Sequence, residues 1–153
     1  MNRYSVSVAI LATALLSGWL FLSSAQTTVN AIEVTVYKSP TCGCCKNWIK
    51  HMEANGFAVK SVDVTDIRPY KSKYDITPPL ASCHTAVIDG YVVEGHVPAA
   101  DIKRMLKERP AIQGLAVPGM PSGSPGMEQD PQDPYEVLTF DKVGNRLVYS
   151  RHP

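Results

Sequence analysis

The chain has 153 residues, with 15 Lys+Arg against 14 Asp+Glu and 44% hydrophobic side chains, enough apolar material for one modest core and too much for a disordered chain. A formal charge of +1 without any Lys/Arg run speaks against a nucleic-acid partner, because neutralising phosphates needs a concentrated positive surface. Four Cys are few for a disulfide scaffold, and three of them, Cys42, Cys44 and Cys45, are clustered, with Cys83 far downstream; that placement points to thiol chemistry rather than stapling.

In chain order, residues 1–25 read as an export signal: Arg3 precedes an apolar stretch from Val6 to Leu22, and Ser23 and Ala25 are the small residues expected before a cleavage site. Cleavage after Ala25 leaves one mature domain over 26–153 with no stable membrane insertion, and the alternative is an uncleaved anchor at the short limit for a spanning helix. Ile32 to Tyr37 alternates apolar and polar side chains, which predicts a strand. After the break at Ser39-Pro40-Thr41, the spacing of Cys45, Trp48, Ile49 and Met52 predicts a helix ending near Asn55-Gly56, with Trp48, Ile49 and Met52 in the core. Three cysteines therefore sit at a strand-to-helix turn.

Phe57 to Val64 predicts a second strand, and Asp66 to Asp75 a short helix capped by Asp66 and ended by Thr77-Pro78-Pro79. Thr85 to Ile88 and Tyr91 to Val93, joined by Asp89-Gly90, predict a tight hairpin. Pro98 opens a last helix with Ile102, Met105 and Leu106 buried, Lys103, Arg104, Lys107 and Arg109 solvated, and Pro110 as its limit. From 110 to 134 the chain holds six prolines and four glycines, which predicts a long loop without regular structure, placed to cover a site. Tyr135 to Phe140 and Arg146 to Tyr149 predict a C-terminal hairpin within residues 135–150. His51 and His152 read as surface residues.

The order strand, helix, strand, helix, hairpin, helix over residues 31–109 resembles the thioredoxin/glutaredoxin fold, so the expected class is α/β with a mixed sheet and flanking helices, extended by the loop and the C-terminal hairpin. Cys42-Gly43-Cys44-Cys45 resembles the C-G-P-C redox turn with its proline replaced by a third Cys. Cys42 and Cys45 keep the dithiol arrangement, and the helix N-terminus favours thiolate there. Cys44 has no role in dithiol exchange but makes sense as a soft ligand. The stretch from Cys83 to Gly90 resembles the glutaredoxin segment V-P-x-V-F-I-N-G, with His84 at the position of the cis-proline. That resemblance implies that Cys83 faces the other three sulfurs.

An all-thiolate set suits Zn(II), Cu(I) or iron and sulfide. Structural zinc draws on separated C-x-x-C pairs, whereas adjacent Cys44 and Cys45 point about 100° apart on a helix, so bridging sulfurs and several Cu(I) ions fit better. Met120 and Met127 in the loop are candidate thioether ligands or simple gap-fillers. His84 and His96 stand near the site as auxiliary groups or as ordinary polar residues at turns.

The segments Ser39–Cys45 (S-P-T-C-G-C-C), Ser82–Ala86 (S-C-H-T-A), Glu94–Pro98 (E-G-H-V-P) and Gly114–Glu128 together are similar to the CopG-type copper-resistance proteins. The resemblance implies a periplasmic protein that binds copper through Cys42, Cys44, Cys45 and Cys83, interconverts Cu(I) and Cu(II), and meets other periplasmic copper-handling proteins. Whether it turns over as a copper oxidoreductase or only holds the metal stays open. The rival reading is a dithiol-disulfide oxidoreductase using Cys42 and Cys45. A structural disulfide, Cys42 to Cys45 or Cys44 to Cys83, and a structural zinc module are the plainer alternatives.

Overall fold

A computed structural model describes residues 31–153, so the expected export signal lies outside the described residues. The elements are β1 (Ile32–Lys38), α1 (Gly43–Ala54), β2 (Phe57–Asp63), α2 (Arg68–Lys73), a 3₁₀ turn at Pro78–Leu80, β3 (His84–Ile88), β4 (Tyr91–Glu94), α3 (Ala99–Glu108), β5 (Gly114–Ala116), β6 (Tyr135–Phe140) and β7 (Arg146–His152). They build one seven-stranded mixed sheet in the order β2-β1-β3-β4-β5-β6-β7. The mixed α/β class is as expected from the sequence.

Alternation along the strands sorts the side chains onto two faces. On one, Val34, Val36, Ala86, Ile88, Val93, Leu115 and Val137 form a single core with Trp48 and Met52 of α1 and Ile102, Met105 and Leu106 of α3. Ile49 packs at the margin of that core. On the other, Val92, Ala116 and Phe140 meet Ile76 and Leu80. The Trp48 indole donates to the Val97 carbonyl (2.9 Å), fixing α1 against the entry to α3. His51, expected at the surface, is half-buried because its Nε2 accepts the Ala99 backbone N–H (3.1 Å), one of the unpaired donors that open α3. His152 likewise leaves the surface by bonding Asp101 Oδ2 (2.8 Å).

Two expectations are corrected. Asp66 does not cap α2 as its N-cap residue; that position is Ile67, while Asp66 accepts the Arg68 N–H at 3.0 Å and pairs with the Arg68 guanidinium. Within 110–134 the chain does form regular structure: β5 runs parallel to β4 and antiparallel to β6, which welds the C-terminal hairpin into the main sheet. Gly114 permits this, since a Cβ there would collide with the Val92 carbonyl oxygen. Three residues are too short for alternation to register in a Gly/Pro-rich background, which is why the sequence pattern missed them. Among the described residues, no helix is long and apolar enough to cross a membrane.

Candidate metal centre

The cluster forms where β1 ends, α1 begins and β3 begins. Ser39-Pro40-Thr41 turns the chain, with the Cys42 N–H donating to the Ser39 carbonyl (3.1 Å), and Cys42 becomes the N-cap of α1, its sulfur accepting the Cys45 N–H at 3.3 Å. Register then delivers the fourth sulfur. Lys38, the last residue of β1, lies opposite His84, the first of β3, so Cys83 is held beside the turn that carries the other three. Its Sγ lies 3.5 Å from Cys45 Sγ and 3.8 Å from Cys44 Sγ, and Cys44 Sγ is 3.5 Å from Cys42 Sγ. All four sulfurs fall within 4.8 Å of one another. Cys42 and Cys45 are joined as a disulfide, whereas Cys44 and Cys83 are free thiols, both half-buried.

The same register carries in the histidines. Thr85 pairs with Glu94, so continuing the β3–β4 ladder brings His96 opposite Cys83. His96 Nε2 is 2.9 Å from Cys83 Sγ, and His84 Nδ1 is 3.4 Å from it. Both rings are fully buried: His84 packs on Trp48 at 4.4 Å between centroids, and the two imidazoles meet edge to face at 5.2 Å. Pro125 closes the arrangement, its carbonyl oxygen 2.7 Å from His96 Nδ1.

Burial and the neighbouring Cys44 thiol push the Cys83 thiol up to about 12, so on its own it stays protonated at neutral pH. Cys83 precedes β3 and is not part of the N-terminal turn of α1. A bound cation would remove that proton, because metal coordination deprotonates a thiol outright. Burial lowers both histidines, and His84 further because protonating it would set a second charge beside His96 and near Lys71 and Lys38, so the neutral form of each ring is favoured.

Sequence reasoning did not find the support beneath Cys83. The fully buried Glu94 carboxylate accepts the Ser82 N–H (2.6 Å) and the Thr85 hydroxyl (2.6 Å) and pairs with the Lys71 ammonium, while the Gly95 N–H donates to the His84 carbonyl (3.0 Å). Glu94, Gly95 and His96 thus grip Ser82, Cys83 and His84 one for one. The motif E-G-H-V-P was the available signal, but a buried carboxylate cannot be told from a solvated one by its letter.

The Gly/Pro loop lies over α1, with Gly126 so near the first turn that a Cβ would stand 2.7 Å from the Trp48 backbone nitrogen and 2.8 Å from the Cys44 carbonyl oxygen. Of the two loop methionines, Met120 is 52% exposed and Met127 half-buried, while Pro125 bonds His96 and Gly126 packs on the backbone of the first turn of α1. A recess of about 700 Å3 between residues 75–80 and 141–146 has no cysteine in its lining.

A family profile described as a protein of unknown function, DUF411, matches residues 80–127, the span holding Cys83, His84, His96 and both loop methionines. No functionally curated protein sequence matches the chain. Two solved structures are similar to it, titled "Copper resistance protein copG- Form 2" and "Copper resistance protein copG- Form 1". Each is 49% identical with a TM-score of 0.76, covering 80% of this chain and, respectively, 99% and 98% of the other.

Proposed function

The chain belongs to the family of the copper resistance protein CopG, and from that premise we propose that it binds copper as its cargo, through the sulfurs of Cys42, Cys44, Cys45 and Cys83, within the periplasm. The observation that carries this reading is the convergence of four sulfurs inside 4.8 Å, two of them free thiols with no structural bond to make. Soft, closely spaced thiolates suit Cu(I), and sulfurs this close serve naturally as bridges between several ions. Residues 1–25 act as the export signal, and 26–153 form the mature protein. Before all four sulfurs can ligate, the Cys42–Cys45 disulfide takes two electrons and two protons from a dithiol reductant, and the thiols then release protons as copper binds. Interconversion of Cu(I) and Cu(II) at the site moves one electron per ion to or from an external carrier.

The disulfide favours a second reading, a dithiol-disulfide oxidoreductase working through Cys42 and Cys45. Cys44 and Cys83 separate the two. Reduced protein, purified and loaded with Cu(I) under argon, is expected to hold more than one copper per chain by elemental analysis, with Cys83→Ser or Cys44→Ser cutting that number at least by half. Zinc in a single equivalent, or full copper uptake by both variants, overturns the copper-thiolate reading. Disulfide reductase activity that survives in both variants, without copper uptake in the parent, establishes the rival.

A further inference from the structure

Cys83 faces two sets of partners. On one side lie the sulfurs of α1; on the other, within 4.8 Å of each other and of the same sulfur, lie ring nitrogens of His84 and His96. We propose that Cys83, His84 and His96 form a second copper site, of two nitrogens and one sulfur, which shares the Cys83 sulfur with the thiolate centre and holds copper as Cu(II).

Hydrogen bonding orients the His96 donor. A carbonyl oxygen only accepts, so the contact to Pro125 places the hydrogen on His96 Nδ1 and leaves the Nε2 lone pair directed at Cys83. A ligating histidine characteristically donates its remote N–H to a backbone carbonyl in this way, which fixes tautomer and ring angle before metal arrives. His84 supplies the second nitrogen from the neighbouring strand, its ring clamped by Trp48. Its Nε2 is buried with no hydrogen-bond partner among the described residues. Nδ1 is the ring nitrogen that faces Cys83 Sγ, so it offers the lone pair to the ion and the hydrogen rests on Nε2.

The donor sets differ in preference. Metal–ligand bonds of roughly 2.0–2.3 Å set ligand atoms about 3–4 Å apart, the scale of the 2.9 and 3.4 Å separations from Cys83 Sγ. Two imidazoles and one thiolate form the trigonal set that accommodates both copper oxidation states, whereas a cluster of thiolates favours Cu(I). The three residues are also independent of the Cys42–Cys45 pair, so this site persists when the disulfide has dismantled the other. The inference rests on copper being the cargo, and it adds where the oxidised ion sits.

The test uses Cys44→Ser in its disulfide form, in which Cys83 is the sole remaining thiol and no all-sulfur centre can form. One equivalent of Cu(II) chloride is added under argon. The expected result is one tightly bound Cu(II) per chain, an intense visible sulfur-to-copper charge-transfer band, and two imidazole nitrogens in pulsed electron paramagnetic resonance. His96→Gln on the same background is expected to lose one nitrogen and at least tenfold in Cu(II) affinity; should it fail to fold, the nitrogen count of the parent decides alone. No binding, or a Cu(II) signal without the sulfur band or without imidazole nitrogens, overturns the proposal. Reduced wild-type protein given Cu(I) keeps the two readings apart. Normal uptake there with no two-nitrogen signal here sinks only this inference, and the reverse sinks only the four-sulfur reading.

Discussion

The two walls of the centre are built by opposite means. The α1 wall, Cys42, Cys44 and Cys45, comes from one short turn, is partly open to solvent, and already contains a bond that can be made and broken. Across from it, Cys83 and His84 stand where β3 begins and His96 just past the end of β4, and their backbone is held by the buried Glu94 carboxylate and the Gly95 N–H. The difference separates a wall set by local turn geometry from one set by tertiary hydrogen bonding. Buried hydrogen bonds, with no competing water, hold that second wall in place.

The comparison is broken most severely by attacking the rigid wall. Glu94→Gln leaves the Lys71 ammonium, only 13% exposed, without its counter-charge and weakens the hold on Ser82, so we expect a loss of about 3 kcal/mol in urea unfolding together with reduced copper retention. An unchanged unfolding midpoint would show that the carboxylate does not support Cys83. Opening the other wall should matter less. Gly126→Ala places a methyl against Cys44 and Trp48 in a backbone with φ of +86°, which costs about 1–2 kcal/mol and lifts the loop, so the Cys44 thiol should be alkylated several-fold faster by iodoacetamide. Alkylation at the parent rate would mean that the loop does not cover α1 in solution.

The smallest effect sharpens the comparison at the far end of α1. Burial lowers the His51 pKa below 6.5, so the neutral ring that accepts the Ala99 N–H is favoured by folding. The unfolded chain then binds more protons than the folded one near that pH. This contribution to stability is complete above pH 6.5 and drains away as the pH falls toward the lower folded value. His51→Gln should flatten the acid side of the stability profile relative to the parent, measured by thermal unfolding above and below pH 6.5. A parallel pair of profiles would rule out His51 as an acid-sensitive tie between α1 and α3.

How much of this was legible depended on range. The β1 strand, the α1 stripe of Trp48 and Met52, the Asp89-Gly90 turn and the α3 stripe all follow from periods of two or 3.6 residues and from local turn chemistry, and each stands where the pattern put it. β5 did not, because its three residues owe their strand to β4 and β6 on either side. The clustering of Cys42, Cys44 and Cys45 was plain, while Cys83 joined them only through a resemblance. The Lys71–Glu94 pair, the Pro125 carbonyl and the fit of Gly126 onto α1 left no local trace.

Local composition by itself determined that this protein carries three soft sulfurs at a helix start, since a strand, a break and a helical stripe are written in adjacent residues. Tertiary structure alone decided what those sulfurs meet. Strand register places Cys83 beside them and His96 beside Cys83, and burial then chooses which groups are neutral, which thiol keeps its proton and which imidazole nitrogen offers its lone pair. The physical reason is that turn and helix preferences act over a few residues, whereas desolvation and hydrogen-bond pairing depend on every segment that closes around a group.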